Sequence, residues 1–247
     1  MRLTGDDKRF GLSVFIPVLN EESLLVQNTG RLVEFLISLK TPYEIIIGSN
    51  GSTDMTEELA ARLCVQHQHI RFFHLPQKGV GRVFKNAVRN ATYDRIITID
   101  MDLSTNLDYI AVAYRLLAEY DIVIGSKIAG TQKRSWVRKL ASNSFVSLAR
   151  ILLKIDFHDY STAAKGYRKN FVEKCLPYVD NKTFYVVEIL YLAYRDGKKL
   201  KEIPVRCIDM RRSRFNLIHE GAYKFAKLFR LWMSSLKASS NRKIHGR

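Results

Sequence analysis

The stretch Tyr93-Asp94-Arg95-Ile96-Ile97-Thr98-Ile99-Asp100-Met101-Asp102-Leu103-Ser104 decides the fold, because an apolar strand runs directly into two carboxylates one residue apart. Side chains two residues apart lie on the same face of an extended strand, so Asp100 and Asp102 can both reach one divalent cation at the strand end. A hard cation bound in this way keeps positions open for the phosphate oxygens of a substrate. The alternative is a solvated acidic turn that closes a strand, since short motifs also occur by chance.

The composition predicts one intracellular α/β domain. A chain of 247 residues that is 47% hydrophobic can bury a substantial core. Its three cysteines (Cys64, Cys175 and Cys207) form no Cys-x-x-Cys pair, so neither a disulfide framework nor a zinc site is indicated. The N-terminus has no apolar segment of the signal-peptide type, and no apolar run is long enough to span a membrane. We therefore expect a cytoplasmic location.

The positive charge of the chain is concentrated at its C-terminal end. The formal net charge is +16, and residues 198–247 contain 14 Lys or Arg against three acidic residues, a net of +11. Such a segment faces an anionic partner, which can be phosphate, nucleic acid or an acidic membrane. A nucleic-acid binder is disfavoured, because the acidic strand end would repel a phosphate backbone and no recognition module is visible. We expect no nucleic-acid partner.

Strands and helices alternate around the opening stretch. Strands are predicted at 12–18, 43–48, 70–75 and 95–99. Helices are predicted at 21–39, from the turn 49–54 to about residue 67, and from the turn 78–81 to about residue 90. This alternation predicts right-handed βαβ units and a mostly parallel sheet, in which ligands bind beyond the carboxyl ends of the strands. Along that edge lie Asn20, Glu21, the turn 49–54, Lys78 and the segment 100–102.

The turns at this edge have a second interpretation. Asn20-Glu21 and Ser52-Thr53-Asp54 are also typical of ordinary helix N-caps. Gly79-Val80-Gly81 lacks the third glycine of the dinucleotide fingerprint and does not follow the first strand, so a Rossmann cofactor is not expected. Glycine turns at helix N-termini nevertheless favour phosphate binding.

Four segments resemble, in order and spacing, the family 2 glycosyltransferases of the GT-A fold. They are VFIPVLNEE at 14–22, IIIGSNGSTD at 45–54, KGVG at 78–81 and DMDLS at 100–104. The second half is similar to the polyprenyl-phosphate sugar synthases of that family, the dolichyl-phosphate mannose or glucose synthases. The segments that carry this similarity are 121–127, 135–142, 159–168, 201–205 and 213–216. The resemblance covers about residues 11–217 and implies a GT-A-type, mostly parallel central sheet flanked by helices.

The resemblance also implies an activity and its residues. The expected reaction is inverting, metal-dependent transfer of a hexose from a UDP- or GDP-sugar to a polyprenyl (dolichyl) phosphate. Pro17 and Glu21 would line the nucleotide pocket, and Asn50 and Asp54 would lie by the base or ribose. Asp100 and Asp102 would hold Mg²⁺ or Mn²⁺ against the diphosphate, with Ser104 completing the metal shell. Lys127 and Arg138 would clamp the phosphates of donor and acceptor, Arg212 and Arg214 would close over the acceptor phosphate, and Lys78 is a further substrate-binding candidate.

Departures from the family pattern leave the substrates open. Leu19 replaces a usual aromatic residue, and Ser49-Asn50 replaces the usual Asp-Asp, so both UDP and GDP donors remain. The acceptor stretch reads Thr162-Ala163-Ala164 in place of Ser-Gly-Phe. A lipid phosphate is already anionic and needs no general base, whereas a sugar-hydroxyl acceptor would require one. Glu188 is the candidate base for that alternative.

The C-terminal segment carries a basic amphipathic pattern. Over residues 221–237 a helix would place apolar side chains on one face and basic side chains on the other. Such a helix packs on the domain or lies in the interface of an anionic membrane. We therefore divide the chain into a catalytic domain (1–217) and a basic helix with its tail (218–247). A lipid-phosphate acceptor predicts peripheral attachment to the cytoplasmic face of a membrane, directly or through a membrane-anchoring partner.

Overall fold

The structure is a computed structural model that describes residues 10–132, 136–157, 159–160, 162–207 and 217–244. The strands are β1 (Leu12–Val18), β2 (Tyr43–Asn50), β3 (Ile70–Leu75), β4 (Arg95–Thr98), β5 (Ile122–Gln132), β6 (Lys165–Arg168) and β7 (Leu200–Cys207). The helices are α1 (Glu22–Ser38), α2 (Thr56–Gln66), α3 (Val80–Asn90), α4 (Asp108–Leu116), α5 (Trp136–Leu153), α6 (Lys169–Cys175), α7 (Tyr185–Arg195) and α8 (Leu217–Ile244), and a 3₁₀ helix (Leu176–Tyr178) follows α6.

The strands form one sheet in the order β3-β2-β1-β4-β6-β5-β7. Strands β1 to β4 are parallel, β6 is antiparallel to both of its neighbours, and β5 is parallel to β7. The predicted mostly parallel sheet flanked by helices is confirmed. Because β1, β2 and β4 run in the same direction, the segments that follow them meet at one edge.

Two apolar cores cover the two faces of the sheet. In β1, Phe15 belongs to one core while Val14 and Ile16 belong to the other, as the two-residue period of a strand requires. The first core includes apolar side chains of α3, α5, α6, α7 and α8, and the second includes those of α1, α2 and α4. The continuously apolar central strands are therefore buried on both sides, which is typical of parallel sheets.

Strand β1 contains Pro17 and has the predicted bounds of 12–18. The strand ends at Val18. The Phe15 carbonyl accepts the Ile99 amide at 3.2 Å, so every second residue of β1 directs its backbone polar groups toward β4. Pro17 is one of these residues, and the amide hydrogen that it lacks would point to that side. Pairing with β4 ends at Phe15 and Thr98, so Pro17 interrupts no ladder there.

At the amino edge of the sheet, one buried carboxylate binds several segments of the chain together. Glu44, 5% exposed, accepts hydrogen bonds from the Ser13 hydroxyl (2.6 Å), the Thr92 amide (2.5 Å), the Thr92 hydroxyl (2.9 Å) and the Arg71 guanidinium (3.0 Å). These bonds tie the amino end of β1 to β2, to β3 and to the segment before β4. A carboxylate saturated in this way serves the fold.

Helix α8 is long but polar along much of its surface. In the part of the chain that the structure describes, no helix combines the length and apolar character needed to cross a bilayer. Leu228 of α8 is fully buried in the first core, and Leu231 and Trp232 pack partly against it. Leu231 therefore contributes to docking the helix.

Candidate active site

The two acidic residues lie in a turn, which corrects the expectation of an extended strand. Strand β4 ends at Thr98, and the Leu103 amide donates to the Asp100 carbonyl at 3.1 Å. Leu103 has a φ of 49°, in the left-handed region. The Ser104 amide then donates to Asp102 Oδ1 at 2.9 Å, which fixes the Asp102 carboxylate. Access of both carboxylates to a cation thus depends on turn geometry and not on strand alternation.

This turn offers the donor atoms that a hard cation prefers. Both residues carry carboxylate oxygens, and Asp100 is exposed while Asp102 is half-buried. Among the described residues, no three His, Cys, Asp or Glu side chains cluster as a complete metal site. A cation held here would take its remaining ligands from water or substrate, as Mg²⁺ commonly does. The Ser104 hydroxyl accepts a weak hydrogen bond from the Cys207 thiol, with a sulfur–oxygen distance of 3.9 Å.

Buried lysines lie beside the acidic turn. Lys165 is 1% exposed at the start of β6 and lies near Asp100, and Lys127 is 5% exposed in the middle of β5, three residues after the partner of Lys165 in the sheet. Buried Asp159 accepts the Lys127 amide (3.0 Å) and the Thr162 amide (3.1 Å), and Lys165 Nζ donates to the Thr162 carbonyl. Burial lowers the pKa of Lys165 to about 8, although the charges of Asp159 and Asp100 act in the opposite direction. Lys165 therefore places a buried basic group near Asp100.

Lys165 is a site residue that the sequence prediction missed. It lies within the 159–168 segment of the family resemblance, and that position was the available signal. Its burial and its closeness to Asp100 depend on the antiparallel pairing of β6 with β4, in which Lys165 lies opposite Thr98. A strand of four residues gives little periodicity from which to predict that pairing.

The donor-side candidates hold two helix N-termini together. Asp54 accepts the amides of Thr56 (3.0 Å) and Glu22 (3.3 Å), while the Glu22 carboxylate accepts the Met55 amide at 2.9 Å. Burial raises the pKa of Asp54, but the hydrogen bonds from Thr56 and Glu22 outweigh it and leave this pKa below its ordinary value. Glu21 precedes α1 and donates its amide to the Thr56 hydroxyl at 2.7 Å. These contacts give Asp54 a structural role at the starts of α1 and α2, although Met55 occupies the N-cap position of α2, and its nucleotide role stays a prediction.

The glycine turn before α3 does not present free amides to a phosphate. The Gly79 amide donates to Asn50 Oδ1 at 2.5 Å, the Gly81 amide to the Lys182 carbonyl at 3.0 Å and the Arg82 amide to the Asn181 carbonyl at 3.0 Å. The expectation that this turn favours phosphate binding is therefore wrong for these three amides. The exposed side chain of Lys78 stays a substrate-binding prediction.

With this geometry defined, comparison with known proteins identifies the family. The family description "Glycosyl transferase family 2" matches residues 13–176, which is more than half of the chain. The chain belongs to glycosyl transferase family 2. The match confirms the family and the enzyme class predicted from the sequence motifs.

Two curated relatives extend along most of the chain. Glycosyltransferase AglD of Haloferax volcanii is 27% identical over 230 residues, which are 90% of this chain and 37% of that protein. Undecaprenyl-phosphate 4-deoxy-4-formamido-L-arabinose transferase of Proteus mirabilis is 28% identical over 229 residues, 89% of this chain and 65% of that protein. The family 2 chain described here thus spans less than two thirds of the length of either relative.

Solved structures confirm the GT-A-type fold. Glucosyl-3-phosphoglycerate synthase from Mycobacterium tuberculosis, in complex with UDP, superposes with a TM-score of 0.67 at 16% identity, over 90% of this chain and 80% of that one. The complex of that enzyme with Mn²⁺, UDP and glucosyl-3-phosphoglycerate gives a TM-score of 0.64 at 16% identity, over 93% and 79% of the two chains. Staphylococcus aureus TarS gives 0.52 at 16% identity, over 78% and 58%.

The remaining candidates of this family 2 enzyme are distributed unevenly. Pro17 is half-buried near the carboxyl end of β1. Arg138 lies in the first turn of α5, where the structure describes only the backbone. Arg212 and Arg214 lie outside the described residues. The structure therefore brings the carboxyl ends of β1, β2 and β4 to one edge of the sheet. The roles of Arg138, Arg212 and Arg214 stay predictions.

Glu188, the candidate base of the alternative reaction, has a structural partner. Its carboxylate accepts the backbone amide of Asp180, and burial raises the pKa of the Glu188 side chain. This bond joins the first turn of α7 to the preceding loop. It favours a structural role for Glu188 in this family 2 enzyme.

Proposed function

We propose that this chain is a metal-dependent, inverting glycosyltransferase that moves a hexose from a nucleotide-diphosphate sugar to a polyprenyl phosphate. The observation that carries the proposal is the turn after β4, in which Asp100 is exposed and Asp102 is ordered by the Ser104 amide. The name of the undecaprenyl-phosphate relative supports a lipid-phosphate acceptor. The structural neighbours crystallised with UDP and Mn²⁺ support a nucleotide donor and a divalent cation.

Charge stabilisation accounts for the chemistry. Oxygens of Asp100 and Asp102, with the Ser104 hydroxyl as a further ligand, would hold Mg²⁺ or Mn²⁺. When bound, the cation supplies positive charge that stabilises the departing nucleoside diphosphate. Lys127 and Lys165 are the buried basic residues that we propose add positive charge beside the turn.

The acceptor phosphate needs no general base. One of its anionic oxygens forms a bond to the anomeric carbon as the bond from that carbon to the diphosphate oxygen breaks, so the electron pair leaves with the nucleoside diphosphate. Attack opposite to the leaving group inverts the configuration. Arg138, Arg212, Arg214 and Lys78 are the residues that we propose hold the phosphates in line.

The donor base would lie at the ends of β1 and β2, among Pro17, Glu21, Asn50 and Asp54. Asn50 uses its Oδ1 to accept the Gly79 amide, so its amide nitrogen is the group left to donate to a base or ribose oxygen. Both uracil and guanine carry such oxygens. The proposal therefore includes UDP- and GDP-sugars.

The distal part of α8 supports contact with an acidic membrane. Its side chains Phe229, Met233 and Leu236 are 56%, 40% and 47% exposed at helical spacing, although they are large and apolar. Exposed Arg230 lies among them within a strongly basic segment. Apolar and basic side chains together suit the interface of an anionic bilayer. We propose that residues 218–247 attach the enzyme to the cytoplasmic face of a membrane, with a membrane-anchoring partner as the alternative means of attachment.

A panel of UDP- and GDP-sugars with Mn²⁺ or Mg²⁺ tests the function. We expect one nucleotide class to raise the melting temperature and to support hexose transfer to a short polyprenyl phosphate. A matched acceptor that carries a free hydroxyl in place of the phosphate controls for acceptor chemistry. Transfer to the hydroxyl with none to the phosphate would contradict the proposed acceptor, and no response to any nucleotide sugar would contradict the proposal as a whole.

A further inference from the structure

The loop before α7 (residues 179–184) binds the C-terminal helix α8 through the carboxylate of Asp180. Asp180 accepts hydrogen bonds from the Tyr223 hydroxyl and the Lys182 amide, and it forms an ion pair with Lys227 at 3.0 Å. Burial would raise the pKa of Asp180, but these hydrogen bonds lower it below its ordinary value. We call Asp180, Tyr223 and Lys227 the helix clasp. Because Asp180 also donates its amide to Glu188, the clasp is anchored to α7.

The same loop supports the first turn of α3. Carbonyls of Asn181 and Lys182 accept the amides of Arg82 and Gly81, both at 3.0 Å. Lys85 Nζ donates to Asn181 Oδ1 at 2.8 Å. This close approach explains both glycines of the turn. A Cβ on Gly79 would lie 2.5 Å from the Asn181 carbonyl oxygen, and one on Gly81 would lie 2.8 Å from the Asn181 carbonyl carbon.

The contacts form a continuous path from the C-terminal helix to a donor-side residue. Tyr223 and Lys227 bind Asp180, the adjoining loop carbonyls bind the start of α3, and the Gly79 amide binds Asn50 at the end of β2. Each step of the path is a hydrogen bond or, for Lys227 and Asp180, an ion pair. Loss of the clasp would therefore release the loop, and with it the partners that order the turn before α3.

We propose that Asp180 is a positioning residue for donor binding, because it uses the C-terminal helix to hold the loop that orders the Gly79–Gly81 turn and Asn50. The inference rests on the proposed function for its donor, a nucleotide-diphosphate sugar. It requires no contact between Asp180 and substrate. Attachment of α8 and donor affinity are then linked properties of the enzyme.

Tyr223→Phe tests this inference, since it removes the hydroxyl and keeps the ring. Hydrogen–deuterium exchange should be about tenfold faster at Gly81 and Arg82, the loss typical of a hydrogen bond to a charged group. The donor KM should rise by about the same factor, while kcat and the acceptor KM stay within about twofold. Tyr194→Phe is the matched control, because Tyr194 is 51% exposed on α7, and it should change neither quantity.

Lys227→Met gives an independent second test if Tyr223→Phe does not fold. It removes the cation of the ion pair, and we expect the same pattern with a smaller effect of about threefold. Unchanged exchange at Gly81 and Arg82 in a folded clasp variant would overturn the inference. Faster exchange with an unchanged donor KM would overturn it as well.

The two proposals fail in different ways. If the wild-type enzyme uses no nucleotide sugar under any condition, the proposed function fails, and the donor role of Asp180 fails with it. If the wild-type enzyme is active and Tyr223→Phe matches it in exchange and donor KM, only the role of Asp180 fails. Exchange is measured without substrate, so it separates the two results.

Discussion

The two edges of the sheet use carboxylates in opposite ways. At the amino edge, Glu44 is buried and receives four hydrogen bonds from side chains and backbone of neighbouring segments. At the carboxyl edge, Asp100 is exposed and Asp102 is half-buried in a turn beside buried lysines. The carboxylate that serves the fold thus differs from those proposed to serve catalysis in its position in the sheet and in its access to solvent. The residue type alone does not separate them.

The largest expected effect is at the carboxyl edge. Asp102→Ala should reduce kcat by about 10³-fold, because it removes a carboxylate that we propose holds the catalytic cation. Stability should change little, since Asp102 is half-buried. Steady-state transfer assays with thermal melting measure both quantities. Glu119→Ala, which removes an exposed carboxylate after α4, is the matched control, and equal activity of the two variants would contradict the assignment.

The converse effect is expected at the amino edge. Glu44→Ala should lower the free energy of unfolding by about 3 kcal/mol, because it leaves Arg71, Ser13 and Thr92 without their shared acceptor. Urea denaturation measures the change. Activity per folded molecule should stay the same, and a selective loss of kcat would show that the two edges are not functionally separate.

Asp54 lies between these extremes, since it is at the carboxyl edge but its carboxylate joins the starts of α1 and α2. Asp54→Ala should cost about 1 kcal/mol of stability at pH 7, the usual net contribution of such hydrogen bonds, because it removes the acceptor of the Glu22 and Thr56 amides. The pKa of Asp54 is lowered in the folded protein, so its charge stabilises the fold above the ordinary carboxyl pKa of about 4. That contribution is lost as pH falls through the lower folded-state value. Urea denaturation between pH 7 and pH 3 should therefore show a shrinking difference between wild type and variant, and a growing difference would contradict the assignment.

The smallest effect is expected for Glu188→Gln. Its carboxylate accepts the Asp180 amide, and a glutamine oxygen can accept the same bond. With a polyprenyl-phosphate acceptor, kcat should change by less than about threefold, because that reaction needs no general base. Initial rates measure this. A loss of about 100-fold or more would favour the alternative hydroxyl-acceptor reaction.

The sequence predicted the features that depend on local pattern. The apolar runs gave β1 to β4, and the carboxyl-edge rule collected Asn20, Asn50 and Asp100 at one edge. Features that depend on distant contacts were missed. The function of Gly81 is set by a loop about 100 residues later, and the burial of Lys165 by its pairing with β4. The turn geometry of Asp102 was missed because strand periodicity does not show where a strand stops.

The comparison of the two edges depends on one claim, that Asp100 and Asp102 together bind a divalent cation with the nucleotide. Titration of Mn²⁺ in the presence of UDP or GDP, followed by electron paramagnetic resonance, tests it directly. We predict that the wild-type chain binds one Mn²⁺ with the preferred nucleotide, and that the folded Asp100→Ala, Asp102→Ala double variant loses this binding. Undiminished Mn²⁺ binding by the double variant would contradict the account.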